Sequence, residues 1–187
     1  MASSGPNSGG TFANDTTVGN ASTWNDISFV SSSNNSRANF AVNPGGLKIS
    51  NYIKCTNFGF SIPSGATIDG IVVEVERLRS SNVNITPADY SVKLVKGGTI
   101  SGDEKSAGAT ITTTDTYATF GSSSDLWSVT LTDTDVNAST FGCVYALQGQ
   151  KSGKGAGYMY VDHIRLTVYY TASGGGSSSN SLLMAGD

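Results

Sequence analysis

From Trp24 to Thr171, apolar and polar positions alternate in short runs, and clusters of Gly, Pro, Asn and Ser separate the runs. Alternation with period two marks a strand that turns one face to a core and the other to water. In "IVVEVE", Ile71, Val73 and Val75 fall on one face and Val72, Glu74 and Glu76 on the other. In "YSVKL", Tyr90, Val92 and Leu94 form an inward set, with Ser91 and Lys93 outside. Phe141, Cys143, Tyr145 and Leu147 make a third inward set. The last run, "IRLTVYY", buries Ile164, Leu166, Val168 and Tyr170 and exposes Arg165, Thr167 and Tyr169. No stretch of a dozen residues sustains a 3.6-residue period, so helix content is expected to be minimal. Short strands at this spacing predict an all-β, antiparallel β-sandwich, jelly-roll-like, whose core holds Trp24, Phe58, Phe60, Ile71, Val73, Val75, Trp127, Phe141 and Leu166.

The pattern stops at both ends. Residues 1–22 are polar and rich in Gly and Ser, with only Phe12 and Val18 as apolar anchors, and they are expected to form an N-terminal arm. Residues 23–171 make the sandwich domain. Residues 172–187 read as a flexible Gly/Ser-rich tail ending in an apolar tip of Leu182, Leu183 and Met184. Phe12, Val18, Leu182, Leu183 and Met184 are therefore the candidate assembly contacts.

Composition agrees with this architecture. The chain has 187 residues, 23 of them Gly and only 13% charged, and hydroxyl and amide side chains abound, which favour strands and turns over helix interiors. One domain of this length needs no metal or disulfide staple. A net charge of −3, with Lys and Arg scattered, gives no stripe that would neutralise phosphates, so no nucleic-acid partner is expected. No segment has the apolar length of a membrane span and "MASSGPNSGG" lacks the form of a signal peptide, so a soluble protein made without export is expected. Cys55 and Cys143 both lie in apolar strand patterns; free buried thiols are preferred over a bridge, and either way the role is structural.

Candidate chemistry is thin. "DTDVN" places Asp133, Asp135 and Asn137 like the start of a calcium loop, but Ala138 replaces the required Gly and Val144 the bidentate Glu. A turn whose side chains cap nearby amides is the expected structure, with a looser cation site as the alternative. His163, the only histidine, follows Asp162, yet no G-x-S-x-G elbow accompanies it, and a strand bend with local hydrogen bonds is expected. Glu74 and Glu76 share a face at a spacing a glycosidase pair can have, but the strand reads as half-wet and the two acids as surface. "SGKGAG" at 152–157 and "KGGTISG" at 96–102 do not complete a phosphate loop and are expected to be hairpin connections. No catalytic residue, cofactor or required metal is expected.

Three blocks, "FGFSIPSGATIDGIVVEVER", "DLWSVTLTDTDVNASTFG" and "VDHIRLTVYY", resemble blocks of small β-sandwich proteins encoded by tailed bacteriophages and related prophages. The likeness covers about residues 24–171. Ser128 stands where that pattern often carries Gly after Asp-Leu-Trp. The resemblance implies a non-enzymatic virion component made in the host cytoplasm, a capsid decoration or cement protein or a tail-associated one. Its partners would be copies of itself, a trimer being favoured, and another virion protein such as the major capsid protein. The alternative is a tail-associated carbohydrate-binding or host-recognition module, which would display exposed aromatics; Tyr158, Tyr160 and Tyr169 are the candidates. Coplanar, solvent-facing rings would favour that alternative, and rings packed beneath a second sheet would oppose it.

Overall fold

The computed structural model describes residues 1–18, 21–81 and 84–173. Among the described residues, twelve strands form two sheets that pack face to face. In the first sheet, β12 (Gly157–Thr171) pairs with β7 (Thr67–Arg79), which pairs with the edge strand β10 (Thr116–Gly121). The other side of β12 is shared by β1 (Ala2–Ser8) and β4 (Ala38–Val42). In the second sheet, β11 (Gly142–Lys151) lies between β8 (Ile85–Lys96) and the pair β6 (Tyr52–Thr56) and β5 (Leu47–Ser50). Beyond these lie β9 (Thr99–Ser101) against β8, β2 (Thr11–Asp15) against β6, and β3 (Ala21–Ser22) against β5. All pairings between the strands of the described residues are antiparallel except β3 with β5. The order β1-β12-β7-β10 facing β6-β11-β8-β9 is that of a jelly roll.

The expected core is the observed one. All nine large residues named from the pattern are buried between the sheets. Each indole N–H finds a carbonyl, Trp24 on Asn51 at 2.8 Å and Trp127 on Ile71 at 2.9 Å, which lets these amphipathic rings lie fully inside. Cys55 and Cys143 are buried free thiols on adjacent strands, and burial pushes both well above the ordinary thiol range. Where β11 meets β6 there is no room for a side chain: a Cβ on Gly142 would stand 2.0 Å from the Cys55 carbonyl oxygen.

Four expectations need correction. The first fifteen residues are not an arm: β1 lines β12 in the first sheet and β2 lines β6 in the second. Ala2–Ser8 has no apolar alternation because its contribution is made by main-chain hydrogen bonds along an edge, which any sequence can supply. Tyr90 does not point inward. A bulge opposite Ala146/Leu147 shifts the register, so that Tyr90 is 38% exposed and Asp89 takes the buried position. Tyr170 and Thr167 exchange the burial expected of them, Tyr170 being only partly buried beside a second irregularity in β12 and Thr167 buried. Finally, residues 152–157 join strands of different sheets, whereas Gly97 and Gly98, both at positive φ, do close the β8–β9 hairpin.

The segment after β10 explains Ser128. Trp127 and Ser128 both have positive φ, +57° and +55°, and the Val129 amide donates to the Leu126 carbonyl at 2.9 Å. This tight turn is one that glycine adopts without strain. Ser128 holds it with a side-chain hydrogen bond to Asp103 at 2.5 Å.

Candidate functional site

The outer face of the first sheet concentrates the polar side chains. A bulge in β12 between Val161 and His163 places Asp162 and His163 together on that face, opposite Glu76 of β7. The His163 ring is held at both nitrogens, with Nε2 2.8 Å from Ser8 Oγ and Nδ1 2.7 Å from Tyr117 Oη. Burial, and after it the positive charge of Arg165, lowers its pKa; Glu76, Asp162 and Glu74 act in the opposite sense. Arg165 forks onto Glu74 with two bonds of 2.9 Å and lies 4.0 Å from the centre of the Tyr117 ring. The hydrogen bond to Glu74 is the main cause holding its pKa above the ordinary range.

Beside this array lies a group that sequence reasoning missed. One carboxylate oxygen from each of Glu76, Asp115 and Asp162 lies within 4.8 Å of the others. Asp162 is 1% exposed and its oxygens accept from the Asn34 and Asn35 amides at 3.4 and 3.0 Å. Asp115 accepts from Arg37 at 2.8 Å. Glu76 Oε2 and Asp115 Oδ1 are shielded from solvent and have no hydrogen-bond partner. Among the described residues these three are the set able to hold a cation. Glu76 is thus not simply a wet surface acid, while Glu74 is an ion-paired one. No signal in the sequence links Asp115 to Asp162, because the loops and a bulge bring them together.

Acyl transfer finds no support in this geometry. Ser8 sits exposed on the edge strand, and the nearby Gly10 amide is bonded to the carbonyls of Thr56 and Asn57, not aimed at an oxyanion position. His163 makes local hydrogen bonds at a strand irregularity, as its sequence context suggested.

The calcium-like stretch is a helix start. Asp133–Asn137 form one helical turn, α1, and Thr132 with Asp135 makes a reciprocal capping box. Asp135 also pairs with Lys96 at 3.1 Å, and Asn137 bonds both the amide and the carbonyl of Ile62. Asp135 Oδ2 and Asn137 Oδ1 are thus engaged by the protein itself.

Of the assembly candidates, Phe12 is partly buried against the main core. Val18 packs on a small apolar cluster, Tyr52, Val95, Val144 and Ala146, on the outer face of the second sheet. Both are engaged within the chain. Leu182, Leu183 and Met184 lie outside the described residues. The tyrosines are better placed for display: Tyr158 is 40% exposed, and its ring centre lies 6.3 Å from that of Tyr160 with planes 24° apart. Tyr169 is partly exposed.

No family model, no curated protein and no solved structure matches this chain.

Proposed function

We propose that this chain is a non-enzymatic structural protein of a tailed-phage virion, acting as a capsid decoration or cement protein that joins copies of itself and a neighbouring shell protein. The blocks that resemble such proteins supply the class. The observation that carries an assembly role is strand β10. It is an edge strand of six residues, "TYATFG", with neither charge nor proline, and among the described residues no strand pairs with its outer edge. Proteins that remain alone blunt such edges, because unpaired amides and carbonyls recruit other strands. The other edges are short, interrupted or covered: β3 has two residues and β9 three, β1 carries Pro6 and a bulge, β2 has Asn14 closed on Trp24, and the middle of β4 is capped by Asn25, whose backbone pairs with that of Asn39. An undefended edge fits main-chain pairing to a neighbour.

Cosedimentation of the full chain with capsids and, separately, with tails of a tailed phage that encodes it tests the proposal. Binding to capsids is expected, and Thr119→Lys should weaken it by placing a charge on the edge. Absence of binding to either particle would overturn the reading.

A second reading, a carbohydrate-binding module of the tail, is favoured by one observation. Tyr158 and Tyr160 offer two near-parallel rings to solvent on one strand face, as stacking against sugar rings requires. Binding to tails and not capsids would favour this second reading.

A further inference from the structure

The outer face of the second sheet holds a pocket of about 500 Å³ lined by Thr17, Val18, Tyr52, Tyr90, Ser91, Lys93 and Glu104. We propose that this pocket binds a neutral pyranose sugar, stacked on Tyr90 and hydrogen-bonded to Glu104 and Lys93.

The floor is built before any ligand arrives. The bulge in β8 that sends Asp89 inward turns Tyr90 out to the pocket rim, where the residue is exposed. Ser91 Oγ donates to Glu104 Oε2, so the Tyr52 hydroxyl, 2.7 Å away, donates to Ser91. Glu104 Oε1 accepts from the amides of Val92 at 2.6 Å and Ser106 at 2.8 Å. A carboxylate offers about four acceptor positions, so three are filled and one, on Oε2, remains. Lys93 projects from the same strand face and makes no ion pair among the described residues. The pocket volume lies within the range of small-molecule sites, and apolar rings with a few fixed polar groups are their usual lining.

These groups select the ligand. A fixed carboxylate with one open acceptor position calls for a hydroxyl donor, and an ammonium calls for an acceptor. The exposed face of Tyr90 calls for a flat apolar patch. A pyranose ring carries all three within one residue. A phosphate would meet the Glu104 charge, and a purely apolar ligand would leave Lys93 unsatisfied.

The inference depends on the carbohydrate reading for the class of ligand but places the sugar on the opposite sheet from Tyr158 and Tyr160. Saturation-transfer NMR on the full chain, with the methyl glycosides of glucose, galactose, mannose and N-acetylglucosamine, tests it. Transfer to at least one glycoside is expected, and titration of that glycoside should show binding weakened at least about tenfold by Tyr90→Ala and by Glu104→Gln. Tyr90→Ala removes an exposed ring, so its melting temperature should match the parent, and Glu104→Gln provides an independent variant. Transfer to none of the four sugars would overturn the inference. So would binding that survives Tyr90→Ala and disappears with Tyr158→Ala, an outcome that would leave the carbohydrate reading standing at the other face. Neither outcome bears on capsid binding.

Discussion

Glu76 and Arg77 are neighbours on β7, and the pleat sends them to opposite faces of the sheet. Arg77 enters the sandwich, where it is 6% exposed and forks onto Asp89 with bonds of 2.6 and 2.5 Å. Tyr145 donates to the same carboxylate at 2.6 Å. Burial is the largest single influence and opposes the charge of Arg77, but the hydrogen bond to Asp89, the charges of Tyr145 and Asp89 and the hydrogen bond to Tyr145 together outweigh it and raise the pKa of the guanidinium. Burial, and then the Asp89 charge, holds the Tyr145 phenol well above its ordinary range. Every group in this inner network has a partner of the right sign. Glu76, on the outer face, meets two other carboxylates and keeps one shielded oxygen without a partner. The enclosed network is complete because a low-dielectric interior penalises any unpaired charge severely, whereas in the outer cluster the Asn34 and Asn35 amides on Asp162, Arg37 on Asp115 and the nearby charge of Arg165 offset the repulsion only in part.

Removing the partner from the closed system should have the largest effect. Asp89→Ala leaves Arg77 buried and unpaired, and a loss of about 3–5 kcal/mol in urea-unfolding stability is expected. A loss below about 1 kcal/mol would show that Arg77 escapes to water and that the two faces are less different than they look.

The apolar row between the two polar systems provides the reference. Val73→Ala and Leu166→Ala, a cross-strand pair at the centre of the seam, should each cost on the order of 2–5 kcal/mol, with Leu166 the costlier. Unchanged melting temperatures for both would mean that the face assignment is wrong.

On the open side the sign reverses. Glu76→Gln removes one of three like charges and supplies an amide donor to the orphaned oxygen of Asp115, so a gain of about 1 kcal/mol is expected in the same measurement. A loss of stability would show that the negative charge of Glu76 is needed where it stands.

The smallest effect is pH dependence through His163. Its folded pKa is lowered, mainly by burial, so on acidification the unfolded chain takes up a proton before the folded one does. The neutral ring contributes its full stability above the unfolded pKa, near 6.5, and that stability falls as pH drops toward the folded value. Thermal melts between pH 8 and pH 5 should show a shallower decline in His163→Gln than in the parent. Parallel curves would mean that His163 titrates alike in both states.

Much of the domain was legible in the chain. Ile71, Val73 and Val75, the Phe141–Leu147 set and Ile164, Leu166 and Val168 take the predicted faces, because alternation over a half-buried strand permits only one inward row. The Asp133–Asn137 stretch was legible as side chains capping backbone, though not as a helical turn. The candidate sites were far less legible. Tyr90 and Asp162 sit at bulges, and a bulge is set by the register of the partner strand, so period two carries on past it unchanged in the sequence. The acidic group needs Glu76 from a strand, Asp115 from a loop and Asp162 from a bulge, and nothing in their spacing relates them. Ala2–Ser8 was illegible for a different reason, since a strand that adds itself to an edge needs only its backbone.

By itself, then, the order of residues determined that the chain is all-β, which face of each regular strand is apolar, and that Trp24 and Trp127 lie inside. These follow from local alternation and from the free energy of burying large side chains, which act wherever the strand ends up. Only the tertiary structure decided that β1 and β2 complete the two sheets, that Asp89 rather than Tyr90 enters the core to meet Arg77, and that β10 is left as an uncharged edge. Each of these depends on pairing between segments far apart in the chain, where main-chain hydrogen bonds set the register and the side chains must accept the face that register assigns them.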